Sequence, residues 1–580
     1  MASPFRGLAA VLAFLAAGSG AAQALPPAAA PPRELFLAGG ALAVCSDLSP
    51  RACVTPPMPL RQPPRYRLDE EGIARALDPA LWQAAGAPAR DALAALLQAA
   101  RRTLGPEAEA PAGITGDVLE AALEAVCLER TCADVDPQRP WSVLLDAERG
   151  ALLSALELPQ WIDGARPRER AHPAQSRIDG GVAVLRAFVA AAAERVPGSR
   201  PRIAIVTASA FDPMDPVDFY RSVFRELGAE ALWWPVDAAL AEARFLAEDC
   251  EALPRLRAAR LGLAQRERIY PDLDAYQRDF CRSQPALMLQ VQGVFFAGGD
   301  QWRLRQAFVH ADGRPNPWLQ ELQQAHAAGR VVVGGTSAGA AVQSAAWMLA
   351  NGSVEAAVAR PARVAPPPEP GCGRAGRCGG LAEDQLVLWP EGGLRLASGA
   401  IVDTHFSERA RELRLLRALQ ASGAAWGYGA DEASALHVKD WGGRREIRAV
   451  GEHGGWVLHR PAGTAADAAE AIAWYLVPGA VLVIEGGEAR LEREADRPRP
   501  RRPAHARVDS AFEGGALRAL AQRLAWRCGE EWHLPAGEAR AELGCLPGAE
   551  AFRGPGGLAG VGPLRLRLRP AAEPPQAARP

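Results

Sequence analysis

Net charge is the first thing this 580-residue chain lacks: 65 Lys and Arg face 67 Asp and Glu, leaving −2. Such a balance argues against a general nucleic-acid binder, which needs a basic face to neutralise phosphates. Lysine is nearly missing, with Lys439 the only one. That arginine bias is a mark of GC-rich bacterial coding and carries no function. No stretch is long and uncharged enough to span a bilayer, which takes about 20 residues. No internal repeat is found, and a 49% apolar composition excludes low-complexity disorder as a description of the whole chain. What is present is material for a sizeable core. The length alone suggests about three or four domain-sized units.

The N-terminus carries Arg6, an apolar run at 8–17 and the small-x-small site Ala22-Gln23-Ala24. This pattern is that of a signal peptide over 1–24, with a mature chain starting near Leu25 and exported to the periplasm or beyond. No cysteine follows the expected cut, which argues against a lipoprotein anchor. Export gives the ten cysteines a meaning. They fall in sequence-near couples: Cys45 with Cys53, Cys127 with Cys132, Cys250 with Cys281, Cys372 with Cys378, and Cys528 with Cys545. Proximity predicts five local disulfides in that order. Zinc is the rival at Cys372 and Cys378, but no second Cys or His pair lies at ligand spacing.

Short apolar runs at 35–37, 203–207, 293–296, 331–333 and 400–402 read as buried parallel strands. Alternation with helix-like sequence predicts a doubly wound α/β sheet, with chemistry at the strands' carboxyl ends. Two helical inserts, about 46–175 and 238–285, and a Pro/Gly loop at 360–380 interrupt it. Leu93, Leu96, Leu97, Ala100 and Leu104 keep the one-face helical period in the first insert. The segment 492–507 is an Arg/Pro linker by composition, read as solvated. Beyond it, 508–580 is expected to be a small separate module with a disordered tail.

The strongest motif is VVVGGTSAGAAVQS, which places Gly335-x-Ser337-x-Gly339 between a strand and a helix start. This is the setting of a nucleophile elbow, where small neighbours let strand and helix approach. The Ala338 N–H can then help hold an oxyanion. A serine nucleophile needs a base. His405 directly follows the run at 400–402, in VDTHFSERARELRLL. Arg411 and Arg414, three apart, can share a helix face: either solvated, or lining an anion pocket beside the base. A third landmark, VFFAGGDQWRL, ends a strand in Gly298-Gly299, whose N–H groups can complete an oxyanion hole.

GGTSAGAAV, FFAGGDQWRL, DTHFSERARELRLL and GYGADEASAL, in this order and with FLAGG near the start, resemble cyanophycinase and its relatives. These are serine exopeptidases related to dipeptidase E. The resemblance covers roughly 35–45 and 177–488. It implies a three-layer αβα, doubly wound, mostly parallel sheet like that of class I glutamine amidotransferases. One catalytic unit would then run over 25–491, split by the inserts. The implied activity is release of β-Asp-Arg units from multi-L-arginyl-poly-L-aspartate. By the same resemblance Ser337 is the nucleophile, His405 the base and Glu355 the acid, with Asp403 and Glu432 in reserve. Gly299 and Ala338 would supply the oxyanion N–H groups. Gln301, Asp403, Thr404, Arg409, Arg411 and Arg414 would line the substrate pocket. The family often has Gln where Thr404 stands, which leaves polymer specificity open. No metal or cofactor is implied. The expected partner is a peptide or polymer, and a homodimer is a further expectation. Two other readings stand beside this one. An α/β-hydrolase esterase also uses GxSxG, but the His-Gly-Gly at His453 follows the serine instead of preceding it. A non-catalytic binding protein could keep the elbow without its chemistry.

Overall fold

The computed structural model describes residues 31–82, 90–126, 141–283, 286, 288, 290–345, 347–493 and 507–570. The leader 1–24, the Cys127–Cys132 couple, nearly all of the linker and the tail from 571 lie outside the described residues. The architecture is mixed α/β. Its central sheet has nine strands. Five are parallel neighbours, in the order Glu230–Trp234, Arg202–Val206, Gly293–Phe296, Val332–Thr336 and Arg33–Ala38. The sheet then continues antiparallel through Ser434–Asp440, Arg444–Gly451, Ala480–Glu485 and Glu488–Arg493.

The parallel strands are buried on both faces, and successive side chains serve different cores. Phe36, Ile203, Ile205, Phe295 and Val332 pack on one side against helix Gly180–Ala193, around Phe188. Leu35, Ala204, Val206, Phe296 and Val333 face the larger core on the other side. Helices therefore cover both faces, as the continuous apolar runs predict.

The run at 400–402 lies elsewhere than expected. Strand Ala400–Thr404 is at the edge of a second, seven-stranded sheet, paired in parallel with Trp426–Ala430. That sheet continues through Gly455–His459 and Ala469–Leu476 into the three strands after the linker. Residues 508–570 thus do not stand apart as a module. Ala559–Pro570 pairs antiparallel with Ala469–Leu476, with Ala471 opposite Leu566 and Ala473 opposite Leu564. The alternating LRLRLR run explains the joint. Leu564 and Leu566 are fully buried, while Arg565 and Arg567 reach out to Glu531 and Glu470 at 2.9 and 2.7 Å.

The first insert has its own core. Leu93, Leu96, Leu97 and Ala100 of helix Arg90–Leu104 pack with Leu119, Leu123, Leu152 and Trp141. Ala258 and Ala264 of the second insert join that core, so the two inserts brace each other. An ionic cluster around the buried Tyr270 fastens both to the sheet domain. Arg61, Arg166 and Arg266 surround the Tyr270 ring at 5.7, 5.2 and 5.0 Å, and pair with Asp215, Asp218 and Glu157.

Four of the five expected disulfides are present: Cys45–Cys53, Cys250–Cys281, Cys372–Cys378 and Cys528–Cys545. The Cys372–Cys378 turn is held to helix Asp146–Leu156 of the first insert by Arg374 with Asp146 and by Arg377 with Glu148. Among the described residues, no helix is long and apolar enough to cross a membrane. That and the disulfides are compatible with an exported protein.

Cys250–Cys281 closes 31 residues across the second insert. Loop-closure entropy of that size stabilises by about 3–4 kcal/mol. Replacing both cysteines with serine should lower the urea midpoint accordingly; an unchanged midpoint would contradict this.

Candidate active site

Strand Val332–Thr336 delivers Ser337 into a tight turn with φ 53° and ψ −122°, and helix Ala338–Ala341 begins at once. A positive φ on serine is strained and is held only by its surroundings. Those surroundings admit no side chains. A Cβ on Gly335 would lie 2.2 Å from the Gly339 carbonyl oxygen, and one on Gly339 would lie 2.2 Å from that of Phe296. This is the steric reason for the small residues in GGTSAGAA.

His405 follows strand Ala400–Thr404, also at positive φ, 49°. Its Nε2 lies 2.8 Å from Ser337 Oγ. Its Nδ1 lies 2.6 Å from Glu432 Oε1. Burial pushes the imidazole pKa below 6.5, and the Arg409 and Arg411 guanidinium groups add to that shift, against the hydrogen bond that the ring donates to Glu432. The ring is therefore neutral at pH 7 and able to accept a proton.

Glu355, the acid expected from sequence, is not at the histidine. It is exposed in the first turn of helix Val354–Ala359, and Nδ1 is bonded to Glu432. The reason is register. Strands 400–404 and 426–430 run parallel with Thr404 opposite Ala430, so the residues just past their ends, His405 and Glu432, emerge side by side. Asp403, the other reserve, is fully engaged. Arg414 holds both its oxygens, at 3.0 and 2.5 Å. Burial disfavours the Asp403 charge, but Arg414 and Arg411 outweigh it and keep the carboxyl below its ordinary pKa. It is thus not free to receive a substrate guanidinium, as the sequence had suggested.

Sequence reasoning passed over the turn that organises these groups. Three consecutive carbonyls, of Ala38, Gly39 and Gly40, accept the N–H groups of Ser337 at 2.9 Å, His405 at 2.7 Å and Ala433 at 3.0 Å. Gly40 has φ 106°, and a Cβ on it would lie 2.3 Å from His405 Cε1. The available signal was FLAGG, two glycines closing an apolar strand. Ser209 was missed as well. Its Oγ lies 2.7 and 2.8 Å from the Ala297 and Gly298 carbonyl oxygens, which share its one proton, and its own carbonyl accepts the Asp300 N–H. That fixes the Gly298–Gly299 turn beside the serine. A Cβ on Gly299, φ 142°, would lie 2.1 Å from the Ser209 oxygen.

Ser337, Ala338, Gly299, Thr404, His405 and Arg409 all line one cleft of about 1620 Å³. Gln301 lines it too, but its amide donates to the Leu349 and Ala350 carbonyls and so braces the wall. Both inserts and the Pro/Gly loop contribute, through Trp82, Arg255 and the stretch 367–370. Four cleft carboxylates, Glu148, Glu242, Asp312 and Asp403, are each paired with an arginine. Asp300 caps helix Gln301–Phe308, and Glu369 stands in the Pro-rich loop. Among the described residues Arg255, Arg303 and Arg409 form no salt bridge, though the Arg303 charge acts on Glu369. Arg411 is crowded: burial and the neighbouring Arg414 push its pKa down to about 9. The cleft is therefore electropositive beside the serine. Among the described residues, no group of three or more His, Cys, Asp or Glu is placed to hold a metal ion.

No family model matches the chain. It is 28% identical over 244 residues to a cyanophycinase of Geminocystis herdmanii, spanning 42% of this chain and 65% of that protein. A cyanophycinase of Synechococcus elongatus is 25% identical over 239 residues, 41% of this chain and 53% of its own length. One of Trichormus variabilis is 31% identical over 162 residues, 28% of this chain and 44% of its own. The chain thus spans between about two fifths and two thirds of the curated relatives it matches. Among solved structures, a peptidase from an acI-B1 Actinobacterium aligns over 47% of this chain and 82% of its own, at 16% identity and a TM-score of 0.27.

Gly40→Ala tests the packing of the base. The added methyl cannot coexist with the imidazole, so a crystal structure of the variant should show His405 displaced and its bond to Ser337 broken. An unmoved ring would contradict this.

Proposed function

We propose that this protein is an exported serine-type peptidase of the cyanophycinase kind, with a catalytic domain resembling class I glutamine amidotransferases. The observation that carries the reading is the hydrogen-bonded chain Ser337–His405–Glu432, at 2.8 and 2.6 Å, whose serine and histidine line an arginine-rich cleft. Similarity to proteins named cyanophycinase supports it.

In this mechanism neutral His405 takes the Ser337 proton as Oγ attacks a carbonyl. Glu432 holds the ring in the tautomer that presents a bare Nε2 to the serine, and stabilises the imidazolium that forms. The N–H groups of Gly299 and Ala338 receive the oxyanion. The imidazolium then protonates the leaving amine, and water, deprotonated by His405, releases the acyl group. No step calls on a metal. The cleft's unpaired arginines favour a substrate rich in carboxylates, since a guanidinium pairs bidentately with them. The substrate is cyanophycin or a related aspartyl or isoaspartyl peptide. With Asp403 closed off by Arg414, recognition of the polymer's arginine side chains falls to other groups. The catalytic unit includes the strands after the linker, because they complete the sheet that carries His405 and Glu432.

Incubation with cyanophycin beside β-Asp-Arg, α-Asp-Arg and isoaspartyl dipeptides, with products read by mass, tests the substrate. Hydrolysis of short acyl esters alone would favour an esterase. Ser337→Ala should abolish turnover and fluorophosphonate labelling, and turnover in that variant would sink the proposal. Glu432→Gln should lower kcat by about 10²–10⁴-fold, whereas Glu355→Gln should change it little; the reverse pattern would restore Glu355 as the acid. A chelator should leave the rate intact.

Burial lowers the pKa of His405, so the base stays available below its ordinary 6.5. The midpoint of the acid limb of the pH–rate profile should therefore lie below 6.5. A midpoint above 6.5 would show that another group controls the rate.

A further inference from the structure

We propose that Arg518 is a positioning residue for the His405–Glu432 pair, so that the segment after the Arg/Pro linker is part of the acid–base machinery. This rests on the triad reading above. Arg518 lies in helix Ala516–Trp526. Its Nη1 donates to Glu408 Oε1 and, at 3.1 Å, to Asp431 Oδ2. Neither carboxylate is remote from the chemistry. Glu408 Oε2 accepts the backbone N–H of Glu432 itself, at 3.0 Å. Asp431 Oδ1 accepts the N–H of Ser407, two residues beyond the base, at 3.0 Å. One guanidinium thus ties the main chain behind His405 to the main chain of its acid.

The contact is closely built. The Gly515 N–H donates to the Ser407 carbonyl at 2.5 Å, and a Cβ on Gly514 would lie 2.5 Å from the Glu408 carbonyl oxygen. Tyr475 adds a bond to Asp431 at 3.2 Å, and Trp456 one to Ser407 Oγ at 3.1 Å. The charge balance also needs the arginine. Asp431 is wholly buried, Glu408 is half-buried, and next to them burial, together with the Asp431 charge, pushes the Glu412 carboxyl up to about 8. Arg518 is the cation that pairs with this acidic group; without it Glu408 and Asp431 repel across the strand end that carries Glu432. A loosened Glu432 leaves the imidazole free to rotate from the serine. Misplacement on that scale costs on the order of 10²-fold in rate.

The test uses the full chain and a small fluorophosphonate that reacts at Ser337, with rates expressed per folded molecule from thermal melts. Turnover on cyanophycin is read in parallel as kcat and KM. Arg518→Met should slow labelling by about 10²-fold and lower kcat with little change in KM. Arg518→Lys should recover part of the rate. Glu408→Gln should slow labelling too, and the double variant should fall little further than the worse single one, because the two groups act as one unit. A purely structural arginine would lower Tm and leave the rate per folded molecule at the wild-type value, which would overturn the proposal. So would independent, multiplying effects of the two single variants. If Arg518→Met does not fold, Arg518→Lys and Glu408→Gln decide, and wild-type rates in both overturn the proposal. A wild-type protein unlabelled at Ser337 overturns the triad reading and this one with it. A labelled wild type indifferent to Arg518 overturns this one alone.

Discussion

Everything in the site hangs on three carbonyl groups in a row. Residues 38–40 leave the central strand Arg33–Ala38 as a bare turn, and their oxygens receive the N–H groups of Ser337, of His405 and of Ala433, the residue after Glu432. Two sheets meet there. Ser337 comes from the central sheet, and His405 and Glu432 from the edge of the second. Such a junction tolerates no side chain: a Cβ on Gly39 would lie 2.0 Å from the Asp431 carbonyl oxygen. The glycines place the three groups by letting backbone meet backbone, and hydrogen bonds then fix distances that side-chain packing alone would leave looser.

The local parts of this arrangement were legible in the sequence. Ser337 was found because an elbow is a local shape, with strand, turn and helix written in consecutive residues. His405 was found because it ends an apolar run. The disulfides followed from short separations. Parts that depend on register across distant strands were not legible. Glu432 could not be preferred to Glu355, because only the parallel pairing of 400–404 with 426–430 sets it beside the imidazole. Asp403 looked free because a sequence does not show Arg414 closing on it. The region after the linker looked separate because its pairing with Ala469–Leu476 crosses the linker and the helix that follows it. In each case the deciding contact joins segments that composition and periodicity treat independently.

The inserts alter the character of the site more than its chemistry. They raise walls around the serine and carry charges inward. The acidic groups of the cleft are mostly neutralised by their own arginines, while several arginines stay open to it. Low-dielectric walls strengthen such a field. The ionic cluster around Tyr270 is the counterpart among paired charges, binding insert to sheet.

The second sheet also imposes an order of assembly. Its members at one end follow each other closely in sequence, but its continuation waits for Ala559–Pro570 and Ala539–Arg553 to dock on Ala469–Leu476. These strands come last in the chain. A chain emerging from its N-terminus therefore presents the Ser337 strand and both inserts before the last strands of the sheet that carries His405 and Glu432 exist. A chain truncated before Ala559–Pro570 keeps the Ser337 turn but bares the Ala469–Leu476 edge of the sheet that carries His405.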